Sequence, residues 1–246
     1  MTLACENLTL ARADAEVLHG ISATLSTGQI TAICGPNGAG KSSLLMALAG
    51  LLAPGSGSVT LGGSALGALH PQKRAQQVGY LPQSGEVAWD LSVGNLVALG
   101  RLPFRDRGER QIEAALEATH MTELADRPVS TLSGGERARA LLARVFAGDP
   151  DWVLADEPFA ALDLYHQFEV LASLRVAASL GRGVVLVLHD LAMAMNHADR
   201  VLVLKEGRLI ADGPPEEALA TGVIAEVWGV SARWLGEPGA RALVTG

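Results

Sequence analysis

Apolar positions recur at two spacings along the chain, and the spacing marks out its parts. Leu3-Ala-Cys-Glu-Asn-Leu-Thr-Leu10 and Val17-Leu-His-Gly-Ile-Ser-Ala-Thr-Leu25 alternate, which predicts two half-buried strands closed by the turn Ser26-Thr-Gly-Gln29. Gly57-Ser-Val-Thr-Leu61, after Pro54-Gly55, predicts a further strand, and together these form a small antiparallel sheet. Ile30-Thr-Ala-Ile-Cys34 is instead continuously apolar, as expected of a strand buried on both faces. Ser42–Ala49 reads as the helix that follows it. Val78-Gly-Tyr-Leu-Pro-Gln83 reads as a core strand ending at Gln83, and Asp151–Asp156 and Val184–Leu188 as two more, with Tyr165–Ala178 helical between them and ending near Gly181. Val201–Leu204, Lys205–Arg208 and Leu209–Ala211 make a hairpin pattern, and Glu216–Leu219 starts a short helix.

Residues of about 84–148 differ in character. Leu96–Leu99 and Arg110–Ala118 have helical spacing, Pro103 and Pro128 mark breaks, and Ala138, Leu141, Leu142, Val145 and Phe146 form one helical stripe. The expectation is a single domain over 1–246: an α/β core carrying a small antiparallel β subdomain and an inserted helical subdomain at about 84–148. With 49% apolar residues the chain is not of the disordered class. A net charge of -7 argues against a general nucleic-acid binder. Two cysteines, Cys5 and Cys34, suggest no disulfide framework and fit a reducing compartment. Glu6, Arg12, Asp14 and Glu16 interrupt any secretory signal. The longest apolar candidate for insertion, Leu44–Ala53, is half the roughly 20 residues a membrane span needs. If the protein works at a membrane, a partner carries the spans.

The candidate chemistry centres on Gly35-Pro-Asn-Gly-Ala-Gly-Lys-Ser-Ser43, set between the strand and the helix. G-x-x-x-x-G-K-S in that context is the phosphate-binding loop pattern. Gly35, Gly38 and Gly40 let backbone N–H groups turn inward around a phosphate, and the helix N-terminus adds partial positive charge. Pro36, Asn37, Ala39 and Ser43 complete the loop; Lys41 reaches the β and γ phosphates, and the Ser42 hydroxyl can sit on Mg2+. Asp156, at a strand end, can hold the Mg2+ shell opposite Ser42, and Glu157 could orient or deprotonate an attacking water. The bland alternative is that Asp-Glu-Pro caps a strand. His189, at the end of the third buried strand, could donate to a γ-phosphate; alone it would more often be an ordinary surface or core histidine.

Leu132-Ser-Gly-Gly-Glu136 opens the stripe at Ala138–Phe146. Ser133 and Glu136 fit a capping box, so a well-made helix start is one reading. Gly134 and Gly135 at that start also leave bare N–H groups, a second anion site. One phosphate loop suffices for one nucleotide, so a second site makes sense if it closes on a nucleotide held by another copy.

With these residues in view, the sequence resembles the ATP-binding subunit of ABC transporters. Leu132–Glu136 looks like that family's signature motif, Gly35–Ser43 its Walker A, and Trp152–Glu157 its Walker B with catalytic glutamate. Gln83 matches its Q-loop, Ala161-Leu-Asp163 its D-loop, and His189 its switch histidine. The motifs stand in the family's order over nearly the whole chain. Ser92–Pro103, Leu162–Gln167 and the tail Val223–Leu235 resemble importers of iron-siderophores, haem and cobalamin. One departure concerns the base: the family's adenine-stacking aromatic is replaced by Ala11-Arg12, so Arg12 would stack its guanidinium on the base or leave the base loosely held.

The resemblance implies a P-loop (RecA-like) ATPase using ATP and Mg2+, with Lys41, Gln83, Glu157 and His189 in catalysis and Ser42, Gln83 and Asp156 on Mg2+. Arg12, the 35–43 loop, Ser133, Gly134, Gly135, Glu136 and Asp163 would meet nucleotide. It implies two copies facing head to tail, a separate membrane permease contacted through Ser84–Arg101, indirectly a substrate-binding protein, no nucleic acid, and a peripheral place on the cytoplasmic face of the inner (plasma) membrane. An exporter subunit, a soluble ABC ATPase of translation or repair, and a small-molecule kinase are the rival readings. The kinase reading offers nothing for Leu132–Glu136, and the soluble ATPases usually carry two fused units or a long coiled coil, for which this chain shows no heptad run.

Overall fold

The computed structural model describes residues 1–12, 15–83, 91–160 and 162–246. β1 (Thr2–Arg12) and β2 (Ala15–Ser26) pair antiparallel, β3 (Ile30–Cys34) leads through the glycine loop into α1 (Lys41–Leu48), and β4 (Ser56–Leu61) and β5 (Ser64–Ala65) return to the β1 edge. The resulting sheet has the order β2-β1-β4-β5. Its alternation is not simple. The buried positions of β1 are Leu3, Cys5, Leu8 and Leu10, so the phase slips by one at Glu6-Asn7. There Asn7 has a φ of +46°, its N–H donates to Ser22 Oγ at 2.8 Å, and the pairing with β2 changes register. This is a β-bulge, which bends the strand and keeps both halves facing the core.

After α2 (Pro71–Gln77) and β6 (Val78–Leu81) come α3 (Val93–Ala98), α4 (Glu109–Ala118) and α5 (Gly134–Ala147). They are followed by β7 (Trp152–Asp156), α6 (Leu164–Ser179), β8 (Gly183–Val187), α7 (Leu191–His197), β9 (Arg200–Lys205) and β10 (Arg208–Gly213). The second sheet has the order β10-β9-β3-β8-β7-β6, parallel throughout except for β10. The segment after α3 does not stop at Pro103: residues 99–104 continue as a tight 3-10 turn, and the Pro103 carbonyl accepts from Gln72 Nε2 and Gln76 Nε2. The chain closes with α8 (Pro215–Ala218), α9 (Thr221–Trp228) and a hairpin of β11 (Ala232–Leu235) and β12 (Ala242–Thr245).

The central sheet is buried on both faces, and alternation along its strands divides the core. Ile30, Ala32 and Cys34 of β3, Val153 and Ala155 of β7, and Val184 and Leu186 of β8 pack with α3, α5 and α6. Ile33, Trp152, Leu154, Val185 and Val187 face the other way, onto α1 and the antiparallel sheet. Trp152 is fully buried, with its ring so close to Gly183 that a Cβ there would stand 2.3 Å from it. Trp152→Ala is expected to lower unfolding stability by about 3–5 kcal/mol, read from the shift of a urea transition. An unchanged midpoint would contradict this packing. Among the described residues, no helix is long and apolar enough to cross a membrane.

Candidate nucleotide site

β3 delivers the chain into the 35–40 loop between β9 and β2. At Gly35 a Cβ would lie 2.3 Å from the Leu204 carbonyl oxygen. At Gly40, the N-cap of α1 at φ +94°, it would meet Leu18 Cδ2 at 2.7 Å and the Val17 carbonyl at 2.8 Å. Close approach and left-handed geometry therefore both demand glycine. The loop wraps Lys41, whose Nζ donates to the Gly35 carbonyl at 2.9 Å and the Pro36 carbonyl at 3.0 Å. Burial lowers the Lys41 pKa from its ordinary value, against the opposing pull of Glu157, Cys34 and Asp156. Cys34 is fully buried and its thiol is pushed up to about 12, so it is an inert core residue.

Ser42 Oγ, in the first turn of α1, donates to Asp156 Oδ1 at 3.0 Å across the gap to the end of β7. The Tyr80 phenol of β6 lies close enough to Asp156 for each group to bear on the other's ionisation. Tyr80 is a site residue that sequence pattern did not single out. Its phenol is pushed up to about 12, chiefly by burial and then by the Asp156 charge. Burial raises the Asp156 carboxyl above the usual range, the Ser42 hydrogen bond opposes this, and the Glu157 charge adds to it. Two hard oxygen donors facing each other fit a divalent cation such as Mg2+, which takes few protein ligands and completes its shell from phosphates and water. Among the described residues, no group of three His, Cys, Asp or Glu could hold a metal by itself.

The raised Asp156 pKa has a consequence for stability. The folded chain holds that proton more tightly than the unfolded chain, so ionising Asp156 costs folding stability above its folded pKa. The cost fades as pH falls and the carboxyl is protonated in both states. Asp156→Asn should therefore raise the melting temperature of the nucleotide-free protein at pH 8, by about 2–4 °C if the cost is about 1 kcal/mol. The gain should shrink towards acid pH while Mg2+-dependent ATP turnover is lost. Calorimetry at several pH values, beside a phosphate-release assay, checks both halves.

Glu157 follows directly, at φ +49°. That left-handed turn swings its side chain back over the ends of the parallel strands. Gln83 Nε2 donates to Glu157 Oε2 at 2.7 Å, and His189 Nε2 lies 2.6 Å from Oε1. Gln83, Glu157 and His189 follow β6, β7 and β8, which are neighbours in the sheet. Asp190 is oriented differently: its Oδ1 caps α7, accepting from Ala192 N and Met193 N.

The remaining site residues lie apart. Arg12 is exposed and pairs with Ala15 at the tip of the β1–β2 hairpin, beside residues 13–14, which are outside the described set. Ser133 and Glu136 form the capping box reciprocally, Ser133 N to Glu136 Oε2 at 2.8 Å and Glu136 N to Ser133 Oγ at 3.2 Å, with Gly134 and Gly135 in the first turn of α5. Asp163 caps α6 by accepting from His166 N at 2.9 Å. Ala161 lies outside the described residues, as does the 84–90 part of Ser84–Arg101.

A loop of backbone wrapped around a buried lysine, at the C-terminal end of a central strand of a parallel sheet, is built for the phosphates of a nucleotide. At the level of class, fold and site are those of a P-loop nucleoside triphosphatase. Residues 18–160 match the family model described as ABC transporter, and the chain belongs to that family and is an ATPase of it. A protein from Nocardia farcinica called hemin import ATP-binding protein HmuV is 46% identical over 217 residues, covering 86% of this chain and 75% of its own. Its namesake from Bordetella parapertussis is 41% identical over 251 residues, covering 97% and 96%. A metal-chelate type ABC transporter, solved in an inward-facing conformation, superposes with a TM-score of 0.84 at 26% identity, covering 100% of this chain and 96% of the other.

Proposed function

We propose that the chain is the ATP-hydrolysing subunit of an ABC importer, energising uptake of haem, an iron-siderophore or a cobalamin-like compound through a separate membrane permease. The names of the relatives favour haemin among these cargoes. The observation that carries the catalytic reading is the Glu157 carboxylate, turned back at φ +49° and held between Gln83 and His189 beside the Ser42–Asp156 pair.

Lys41 lies within the phosphate loop and supplies positive charge to the β and γ phosphates. Ser42 and Asp156 would hold Mg2+, which neutralises developing phosphate charge when bound. Glu157 orients the attacking water and takes up its proton, and His189 turns from Glu157 to donate to the γ-phosphate. Gln83, in contact with Glu157, joins the 84–148 segment to the core and registers whether Mg2+ and the γ-phosphate are in place. Two copies face each other head to tail, with Ser133–Gly135 and Glu136 of one closing on the nucleotide held by the loop of the other, and Asp163 at the same interface. Leu102, 70% exposed beside the 91–101 part of the suggested permease contact, supports a partner on that face.

Arg12 at the hairpin tip leaves no aromatic platform for the base. Comparable turnover of GTP and ATP is expected; a strong preference for ATP would remove this reading of Arg12. The function itself is tested by isolating tagged Glu157→Gln protein with ATP from its native membrane. Recovery with a multi-span permease, two copies of each, supports the importer subunit, and the accompanying substrate-binding protein narrows the cargo. Recovery as a soluble protein with ribosomes or DNA factors overturns it.

A further inference from the structure

One side of α6 carries His166, Glu169 and Ser173 at helical spacing, and all three face the α4–α5 segment. Ser173 Oγ donates to the Ala118 carbonyl at 2.9 Å. Glu169 Oε2 lies 3.5 Å from Arg139 Nη1, a loose ion pair. His166 differs from both. Its Nδ1 lies 2.7 Å from Asp163 Oδ1, the same oxygen that accepts the His166 backbone N–H. Its ring also lies against Gly135, where a Cβ would stand 2.2 Å from both Cγ and Cδ2 and 2.7 Å from Nδ1. Tyr165 packs edge-on against the same ring, centroids 5.3 Å apart.

Gly135 is helical, so its backbone conformation does not demand glycine. The imidazole does. One side chain is thus wedged between the end of the 157–163 loop and the first turn of α5, bonded to one and in steric contact with the other.

We infer that His166 is the positioning residue of the interface between two copies: it sets the spacing of Asp163 from Ser133–Gly135, so that both meet the partner's nucleotide together. This rests on the head-to-tail ATPase reading above. N–H groups aimed at a phosphate oxygen act only over about 2.7–3.1 Å, and the 3.5 Å ion pair one turn along the same seam does not hold α5 to that tolerance. A hydrogen bond that fixes the ring, and a ring that stops the helix, do.

The test uses the full chain. In the Glu157→Gln background, ATP-dependent dimerisation is followed by light scattering for His166→Ala, Gly135→Ala and the double variant; in the unmodified background, kcat and KM for ATP are measured for His166→Ala and His166→Asn. His166→Ala should lower kcat and dimer affinity by roughly 10–100-fold, with ATP affinity of the monomer within about twofold. His166→Asn, which keeps a donor for Asp163, should recover several-fold over His166→Ala. Gly135→Ala should block dimerisation, and adding His166→Ala should restore part of it, because the clash is between those two residues. Retained kcat and dimer affinity in His166→Ala would overturn the inference. So would losses in kcat, ATP affinity and melting temperature that move together, since that is a structural role only. If the Glu157→Gln parent does not dimerise with ATP, the functional reading fails, and this inference with it.

Discussion

Glu157→Gln is expected to lower steady-state ATP hydrolysis by about 10²–10⁴-fold, the range a positioned general base contributes, while ATP still binds. The substitution is nearly isosteric, so the loop at Gly35 and the Ser42–Asp156 pair stay in place. What changes is the chemistry at the end of β7. The carboxylate accepts from Gln83 and stands 2.6 Å from His189. An amide has one acceptor oxygen and one NH2, so one of the two partners loses its acceptor. Burial is the main reason the Asp156 pKa is raised, and the Glu157 charge that adds to it is removed, which eases ionisation of Asp156. Binding of Mg2+-nucleotide should therefore be undiminished or tighter, and the protein should accumulate as a nucleotide-bound dimer. Single-turnover phosphate release, set beside equilibrium nucleotide binding, separates the two effects. Turnover above a tenth of the unmodified rate would place the base elsewhere.

Gly35→Ala acts on binding rather than on chemistry. The added methyl would lie 2.3 Å from the Leu204 carbonyl oxygen, which belongs to the backbone of β9 and cannot rotate away. Either β9 parts from β3, whose pairing includes Cys34 with Val203, or the loop lifts off the sheet. The first outcome costs about 1–3 kcal/mol as overpacking. The second moves the Gly35 and Pro36 backbone that accepts from Lys41, and a displacement near 1 Å in such a site costs about 100-fold. Loss of nucleotide affinity together with a lowered urea midpoint is expected. Gly38→Ala is the control: no atom lies within 4 Å of the added carbon, so only its φ of +78° opposes the change, at about 1–2 kcal/mol. Equal behaviour of the two variants would show that the close contact with Leu204 is not what holds the loop.

What could be read from sequence follows the range of each interaction. Ile30–Cys34, the glycine loop and α1 are contiguous, so the strand, turn and helix were legible from local pattern. Gln83, Glu157 and His189 were each legible as strand-end residues. That one carboxylate bridges the other two depends on β6, β7 and β8 being neighbours, which local spacing does not encode. Tyr80 was missed because it looks like any aromatic in a core strand; only the pairing of β6 with β7 carries its hydroxyl to Asp156. The i, i+3 spacing of Asp163 and His166 passed without notice in the sequence, and Gly135 against the imidazole leaves no local trace at all. The slip at Asn7 is written in the apolar positions Leu3, Cys5, Leu8 and Leu10, yet simple alternation absorbs it unless the bulge is expected. The β11–β12 hairpin offers only four-residue strands, Ala232–Leu235 and Ala242–Thr245, whose Ala232, Trp234 and Leu243 pack on the core, too short a pattern to be read as strands. Long-range polar bonds also hold it, Asn196 to the backbone of Arg241 on both its N–H and carbonyl and Trp234 Nε1 to the Leu219 carbonyl, and those leave no periodic trace.

The helices α3, α4 and α5 share one continuous hydrophobic cluster with β3, β7 and β8, with Val93, Leu96, Leu142 and Phe146 in the same body as Val153, Ala155 and Val184. The boundary is not closed throughout: an open groove lies between Arg110, Ala114 and Ala118 of α4 and Ser173, Val176 and Leu180 of α6, while the shared cluster holds α3 and α5 to the sheet. Where the cluster is continuous, displacement of the helices is a shear in which side chains slide past one another, restricted by close packing to small steps between rotamer states, and the groove beside α4 is where the boundary has room to open or close.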